Sequence, residues 1–134
     1  MRALYFYSFL LLGLLATGVS SCSSAKPALG QRGYTEEGKA SYYSNKLHGR
    51  KMANGQPYHR GRLTAAHRTL PFGTKVKVTN LQTNKTVKVK ITDRGPFVKG
   101  RILDLSEAAA RRLNYIDAGI VPVKVKVVKP APAR

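Results

Sequence analysis

The chain has 134 residues and a formal net charge of +18, from 24 Lys and Arg against 6 Asp and Glu. This length fits one small domain, and the single cysteine excludes an intrachain disulfide. With only six carboxylates, any acid–base chemistry must use very few residues, and each can be considered in turn.

The first 22 residues have the pattern of an export signal. Arg2 precedes an apolar core around residues 9–15, which is too short for a membrane span of about 20 apolar residues. Val19-Ser20-Ser21-Cys22 resembles a bacterial lipobox, so we predict a signal peptide over residues 1–21 and lipid attachment at Cys22. The alternative is a free cysteine near a conventional cleavage site. The expected location is the cell envelope, on a membrane facing the periplasm, and Ser23 after the cysteine favours the outer membrane.

The rest of the chain predicts one domain between two irregular segments. Residues 22–38 are rich in Ser, Gly and Pro and predict a flexible tether, and residues 129–134 predict a disordered tail. The folded unit is therefore expected over residues 39–128.

Period-two patterning predicts that this unit is mainly β. Valines alternate with lysines around residues 76–78, 87–91 and 121–127, which is typical of strands with one buried face. Further short strands are expected at residues 40–43, 63–66 and 101–105. A closed six-stranded barrel satisfies all of these faces, and the one predicted helix covers residues 107–113.

Four of the six acids have an ordinary structural explanation. Glu36 and Glu37 lie in the polar lead-in and are expected to be solvated. Ser106 is expected to cap the helix, with Glu107 in its first turn, and Asp117 lies in a turn region. Two acids remain.

Asp93 and Asp104 are the candidates for chemistry. Asp93 is predicted to continue the inward row that ends at Ile91, and Asp104 shares a strand face with Ile102, so both are expected to border one pocket. The alternative is structural: Asp93 pairs with an arginine and Asp104 caps the helix. Spacing does not separate these alternatives.

His67 ends a small apolar strand before a proline-containing loop. A lone histidine is commonly structural, but an imidazole also orients a carboxylate or accepts a hydroxyl proton near neutral pH. His48, His59 and His67 are not at zinc spacing and no cysteine accompanies them, so neither a metal nor a cofactor is expected.

Several segments together resemble a known family. They occur in order at residues 38–43, 48–50, 52–55, 63–74, 78–81, 93–97 and 101–106. This ordered set closely resembles the rare lipoprotein A family. The resemblance implies a six-stranded double-psi β-barrel with one short α-helix. It also implies a periplasmic lytic transglycosylase that cleaves the MurNAc–GlcNAc β-1,4 bond of peptidoglycan and forms 1,6-anhydro-MurNAc.

Similar barrels also imply the catalytic groups. Expansins, family-45 endoglucanases and barrel-type membrane-bound lytic transglycosylases carry an acid in a setting comparable to that of Asp104. By this similarity Asp104 is the first choice for general acid and base, Asp93 the second, and His67 joins them. One carboxyl group suffices, because it protonates the leaving oxygen and then accepts the 6-hydroxyl proton as that hydroxyl closes on C1.

Six further side chains are candidates for substrate binding. Four are aromatic and either line a sugar groove or pack in the core: Tyr42, Tyr43, Tyr58 and Phe97. Arg94 and Arg101 oppose a protonated acid beside them, and their fork geometry suits lactyl or peptide carboxylates of the substrate.

One departure from the family pattern leaves a second function class open. After the Asn-Gly turn, family members commonly read Gly-Glu-x-Tyr/Phe-Asp, and here Gln56 and His59 replace the two acids. Both stay candidate substrate contacts. The alternative function is a non-catalytic peptidoglycan-binding lipoprotein or scaffold on the same barrel.

The expected partners follow from export and charge. High charge alone fits a nucleic-acid binder, but export argues against that partner. We expect the protein to contact peptidoglycan, which carries free carboxylates, and a membrane through the lipid anchor. It is expected to be a monomer.

Overall fold

A computed structural model describes residues 23–134. The predicted signal peptide and Cys22 lie outside the described residues. The structure contains a short 3₁₀ turn at Asn45–Leu47 and seven further elements: β1 (Thr35–Tyr42), β2 (Thr64–Ala66), β3 (Lys75–Asn80), β4 (Thr86–Asp93), β5 (Arg101–Leu105), α1 (Glu107–Arg112) and β6 (Val121–Lys129). Within the described residues, no helix is both long and apolar enough to cross a bilayer.

The six strands close into a barrel in the order β1-β5-β2-β4-β3-β6. The pairs β1/β5 and β2/β4 are parallel, and the other four pairs are antiparallel. Closure leaves no unpaired edge strand. The predicted six-stranded double-psi β-barrel with one short helix is confirmed.

Alternating valines fill the barrel interior. On β3, β4 and β6 the valines are buried and the lysines between them point outwards, as the period-two pattern predicts. Leu103 and Leu105 of β5 are fully buried in the same core. The outer face of β5, which carries Asp104, is therefore separate from the core.

Helix α1 is set by its first residues. Ser106 accepts a hydrogen bond from Ala109 N at 3.3 Å, and Glu107 in the first turn pairs with Arg111 Nη2 at 2.6 Å. The predicted cap and first-turn acid are confirmed, although the helix ends at Arg112, one residue early.

The predicted tether over residues 22–38 is wrong at its carboxyl end. Strand β1 begins at Thr35, and before it Gly33 N donates to Val127 O at 2.9 Å. This segment lacks an apolar period because its order comes from backbone pairing with β6. Gly38 belongs to that pairing, and a Cβ there would lie 2.7 Å from Ile102 Cγ2.

Candidate functional site

Strand β2 brings the two candidate acids together. Ala65 pairs with Ile91, whose side chain is fully buried in the core. Ala66, the next residue, pairs with Asp93 of β4 on one side and with Asp104 of β5 on the other. Successive residues point to opposite faces, so both acids lie on the outer face of the barrel, with Cα atoms roughly 10 Å apart across two strand spacings.

The predicted inward position of Asp93 is therefore wrong. The register of β4 against β2 shifts between Ala65 and Ala66, so that Asp93 follows Ile91 in the ladder although it is two residues further along the chain. An extra residue of this kind turns the following side chain to the other face of the sheet. The irregularity, which is not visible in the alternation of the sequence, places Asp93 on the same face as Asp104.

Asp93 is held by three donors. Its Oδ2 accepts from the Tyr43 hydroxyl at 2.7 Å, and its Oδ1 accepts from the backbone N–H groups of Ala53 and Arg94, both at 2.8 Å. Burial, then the hydrogen bond and charge of Asp93, raise the pKa of Tyr43 far above its usual range. Tyr43 therefore stays protonated and remains a donor to Asp93.

Asp93 and Tyr43 face a cavity of about 160 Å³. The rings of Tyr43 and Tyr58 lie 4.9 Å apart on its wall. The remaining lining residues are basic or apolar: Leu47, Arg50, Lys51 and Met52. The aromatic rings and the carboxylate suit the ring and hydroxyl groups of a sugar, and the two cations suit anionic substituents on that sugar.

Asp104 lies beside this cavity and does not line it, contrary to the prediction of one pocket bordered by both acids. Its Oδ1 accepts from Ser41 Oγ at 2.5 Å and from Arg101 Nη2 at 2.6 Å. Its side chain is 15% exposed. Within residues 23–134, Oδ2 accepts no hydrogen bond, and this oxygen is not buried. The structural alternative for Asp104 was a helix cap, and that role belongs to Ser106.

Arg101 pairs with Asp104, and Arg94 turns away from both acids. The Arg94 guanidinium stacks 3.8 Å from the Phe72 ring centroid, and its Nη1 donates to the carbonyl oxygens of His67 and Leu70. As placed, Arg94 holds the loop after β2, and its side chain does not reach the cavity. The predicted contact of Arg94 with a substrate carboxylate has no support in this placement.

His67 is buried behind the strand ends. Its Nδ1 accepts from the N–H groups of Thr69 and Leu70, so the ring proton is on Nε2 and is donated to Glu36 Oε2 at 2.9 Å. The His67 backbone N–H donates to Asp93 O at 3.1 Å, which connects this histidine to the site through the main chain. The expectation that Glu36 is solvated is wrong, because Glu36 is the partner of this buried ring.

The other predicted binding residues are divided among different cavities. Tyr42 packs edge-to-face on Tyr115 and its hydroxyl donates to Ile116 O at 3.0 Å, so its ring belongs largely to the core. Gln56 and His59 line a neighbouring cavity of about 290 Å³, which shares only Met52 with the Asp93 cavity. The two positions that depart from the family pattern are thus next to the Asp93 cavity and outside it.

Two site residues escaped sequence reasoning. Ser41 binds Asp104 across the β1/β5 pair, and Ala53 N binds Asp93 from the loop after the 3₁₀ turn. Ser41 lies in the Ala40-Ser41-Tyr42 segment that carries the family resemblance, and only the strand register could have connected it to Asp104. A backbone donor such as Ala53 N leaves no signal in a sequence.

Comparison with known proteins identifies the family. A family model described as lytic transglycolase matches residues 35–125, which include all six strands except the last residues of β6. The chain belongs to the lytic transglycolase family. Asp93, Asp104 and the residues that hold them all lie within the matched part of this family member.

Curated relatives of this lytic transglycolase family member carry consistent names. It is 52% identical over 97 residues to the endolytic peptidoglycan transglycosylase RlpA of Pasteurella multocida, covering 72% of this chain and 33% of that protein. It is 49% identical over 96 residues to the RlpA of Campylobacter jejuni, covering 72% and 35% respectively. The chain therefore spans about a third of the length of these relatives.

Solved structures support the same fold for this family member. The Streptomyces papain inhibitor superposes with a TM-score of 0.59 at 27% identity, over 73% of this chain and 97% of the inhibitor. An expansin of Clavibacter michiganensis superposes with a TM-score of 0.56 at 31% identity, over 75% of this chain and 52% of the expansin. A mutant of that expansin was solved in complex with cellohexaose, a glucan oligomer.

Proposed function

We propose that this chain is an endolytic peptidoglycan lytic transglycosylase that cleaves the MurNAc–GlcNAc β-1,4 bond and forms 1,6-anhydro-MurNAc. The observation that carries this proposal is the pair of acids on one outer face, with Asp93 in an aromatic-walled cavity and a free oxygen on Asp104 two strands away. The names of relatives about half identical over the barrel support the same reaction.

Asp104 is the proposed proton carrier. Ser41 and Arg101 fix Oδ1, which leaves Oδ2 with lone pairs for a substrate proton. In a β-linked strand the 6-hydroxyl oxygen O6 and the leaving oxygen O4 lie on the same side of the muramic acid ring, so one carboxylate can serve both. Protonated Asp104 gives its proton to O4 as the C1–O4 bond breaks. O6 then bonds to the vacated face of C1, and the 6-hydroxyl proton returns to Asp104. No water is consumed.

Asp93 and its neighbours are proposed to position the sugar. Asp93 uses both oxygens on protein donors, so it is suited to fixing the cavity wall with Tyr43 and less suited to moving a proton. Phe97, two residues after Gly95, is 81% exposed. An exposed aromatic ring suits stacking on a sugar ring. His67 is proposed as a positioning residue for Asp93.

The first experiment uses residues 23–134, incubated with purified sacculi and with peptide-free glycan strands, and mass spectrometry of the released sugars. The native protein is expected to release anhydro-MurNAc ends. Asp104→Asn is expected to lower the rate at least 100-fold, and Asp93→Asn is expected to lower it less. Asp117→Asn, which removes an exposed acid in a turn, is the matched control and keeps full activity. A larger loss in Asp93→Asn than in Asp104→Asn would reverse the assigned roles.

A second candidate function is non-catalytic peptidoglycan binding on the same barrel. The observation that favours it is the replacement of two family acids by Gln56 and His59 beside the Asp93 cavity. Sacculi that remain uncut while the native protein stays bound to them would establish this function and rule out the transglycosylase.

We propose that the protein is a lipoprotein anchored through Cys22 and facing the periplasm, on the outer membrane. The lipobox-like segment before Cys22 supports this proposal. In a bacterial host, palmitate labelling and membrane fractionation of the native chain are compared with Cys22→Ser. Loss of label and release from the membrane are expected for the variant, and an unlabelled native chain would contradict the anchor.

A further inference from the structure

The barrel carries two rows of lysines on one outer face. Each row has one lysine from each of β4, β3 and β6, placed directly opposite one another across the strands. We call these six residues the lysine face: Lys88, Lys77 and Lys126 in the first row, and Lys90, Lys75 and Lys129 in the second. All are exposed except half-buried Lys77, because the valines between them fill the core.

This arrangement opposes the stability of the sheet. Neighbouring strands lie about 4.8 Å apart, and like charges directly opposite are destabilising. Within residues 23–134, none of the six lysines has a carboxylate within 4.0 Å. The neighbouring Lys124 has a partner, Glu37 at 3.7 Å. The part of the chain that the structure describes places no carboxylate against the lysine face, and an external anion would supply the missing counter-charge.

The centre of the lysine face lies across the barrel from Asp104. In the closed order β1-β5-β2-β4-β3-β6, strand β3 is three places from β5, which is directly across a six-stranded barrel. Strand β4, which ends at Asp93, carries one end of the face, and its Lys90 lines the cavity that holds Gln56 and His59. An anion bound to the lysines of β3 and β6 therefore leaves Asp104 accessible to a glycan strand.

The chain before β1 approaches on the side of the lysine face. Arg32 Nε donates to Val128 O at 3.1 Å, and Arg32 lines a shallow surface depression together with Lys126. Cys22 is ten residues before Arg32, a separation of at most about 35 Å in a fully extended chain. A lipid on Cys22 would thus keep Arg32 and the neighbouring end of the lysine face within about 35 Å of a membrane.

We propose that the lysine face docks on an anionic phospholipid surface and turns Asp104 on β5 away from the membrane. This orientation deepens the proposed function and rests on the proposed lipid anchor. Several lysines on one flat face suit a surface of dense negative charge. Peptidoglycan carboxylates are the competing source of charge, and the experiment separates the two.

The experiment uses residues 23–134, which contain every strand of the closed barrel and no lipid. Binding to vesicles of phosphatidylcholine with equimolar phosphatidylglycerol, to vesicles of phosphatidylcholine alone, and to sacculi is measured by sedimentation at low and physiological salt. The face variant is Lys77→Gln, Lys88→Gln and Lys126→Gln. The matched control, Lys26→Gln, Lys99→Gln and Arg112→Gln, removes the same charge from exposed positions elsewhere.

The face variant is expected to bind anionic vesicles roughly 100-fold more weakly than the native protein. The control is expected to lose much less of its vesicle binding. Neither the native protein nor either variant is expected to bind vesicles of phosphatidylcholine alone. The face variant should also melt at or above the native temperature, because repulsion is relieved, and this melting result confirms that it is folded. Glycan cleavage by the face variant should be unchanged.

Two results would overturn the proposal. Equal losses in the face variant and the control would mean that net charge alone causes vesicle binding. A face variant that loses sacculus binding and keeps vesicle binding would assign the lysines to the wall polymer. Absence of glycan cleavage by the native protein would instead overturn the proposed function and leave the vesicle result to stand alone.

Discussion

Tyr43 and Asp93 form the most tightly specified contact of the site. The tyrosine hydroxyl is kept protonated by the raised pKa, and it is the side-chain donor to a carboxylate that also accepts from Ala53 N and Arg94 N. We expect the two backbone donors to keep Asp93 in place when the hydroxyl is removed. The hydroxyl therefore contributes to the position of one oxygen, Oδ2, at the cavity wall.

Tyr43→Phe is expected to lower kcat on peptide-free glycan by about tenfold, since a hydrogen bond to a charged group contributes about 1.5–3 kcal/mol. Tm should fall by about 10 °C, because the same hydrogen bond stabilises the fold. Tyr42→Phe is the matched control, because its hydroxyl bonds Ile116 O away from the acids. Its kcat is expected to stay at the native value. Equal losses of kcat in the two variants would mean that Tyr43 acts only through packing.

At the scale of an element, β1 depends on a glycine. Gly38 pairs with Val123 of β6, and a Cβ at Gly38 would lie 2.7 Å from Ile102 Cγ2, a branch close to the backbone of β5. Gly38→Ala must therefore push β1 and β5 apart. These are the strands that carry Ser41 and Asp104, so the same change would disturb the Asp104 contacts.

We expect Gly38→Ala to reduce the free energy of unfolding by about 1–3 kcal/mol, the usual cost of overpacking. Urea unfolding measures the loss. Gly38→Ala combined with Ile102→Val removes only the Cδ1 methyl group, which would lie 3.2 Å from the added Cβ, and should recover a small part of the loss. Gly49→Ala is unsuitable as a control because Gly49 has a positive φ. A native unfolding free energy in Gly38→Ala would contradict the close contact.

Among the elements, the sequence predicts the strands in which buried and exposed residues alternate. The valine rows identify β3, β4 and β6, and Ser106 identifies the start of α1. The first residues of β1 are missed because residues 35–38 are ordered by backbone pairing with β6 and have no apolar period. The orientation of Asp93 is missed because a single extra residue in β4 reverses its face. Both depend on register, which is a property of strand pairs.

The candidate site shows the same division. Asp93 and Asp104 emerge by eliminating four other acids, since acids are rare in this chain. Their partners do not emerge, because Ser41 and Ala53 N reach them from strands and loops distant in sequence. Glu36 is misassigned for the same reason, as its partner His67 is 31 residues away. Composition identifies the two candidate acids, and strand topology determines which residues contact them.

At the scale of the whole molecule, buried tyrosines limit the stability of the barrel at alkaline pH. Burial raises the pKa of Tyr115 far above its usual range, as burial and Asp93 do for Tyr43. In the unfolded chain a tyrosine has a pKa of about 10. Above that pH the unfolded chain releases protons that the folded barrel retains, so the stability contributed by these groups is complete below about pH 10 and falls as the pH rises.

The difference in unfolding free energy between the native protein and Tyr43→Phe cancels the contributions that the two proteins share and isolates one tyrosine. We expect this difference to be constant from about pH 7 to about pH 9 and to decrease by about 1.4 kcal/mol per pH unit above about pH 10. Urea unfolding across this range measures it, with tyrosinate absorbance showing that Tyr43 ionises only on unfolding. A difference that stays constant to pH 11 would mean that Tyr43 ionises equally in the folded and unfolded chain, and its hydroxyl would then not be the fixed donor that the Asp93 site requires.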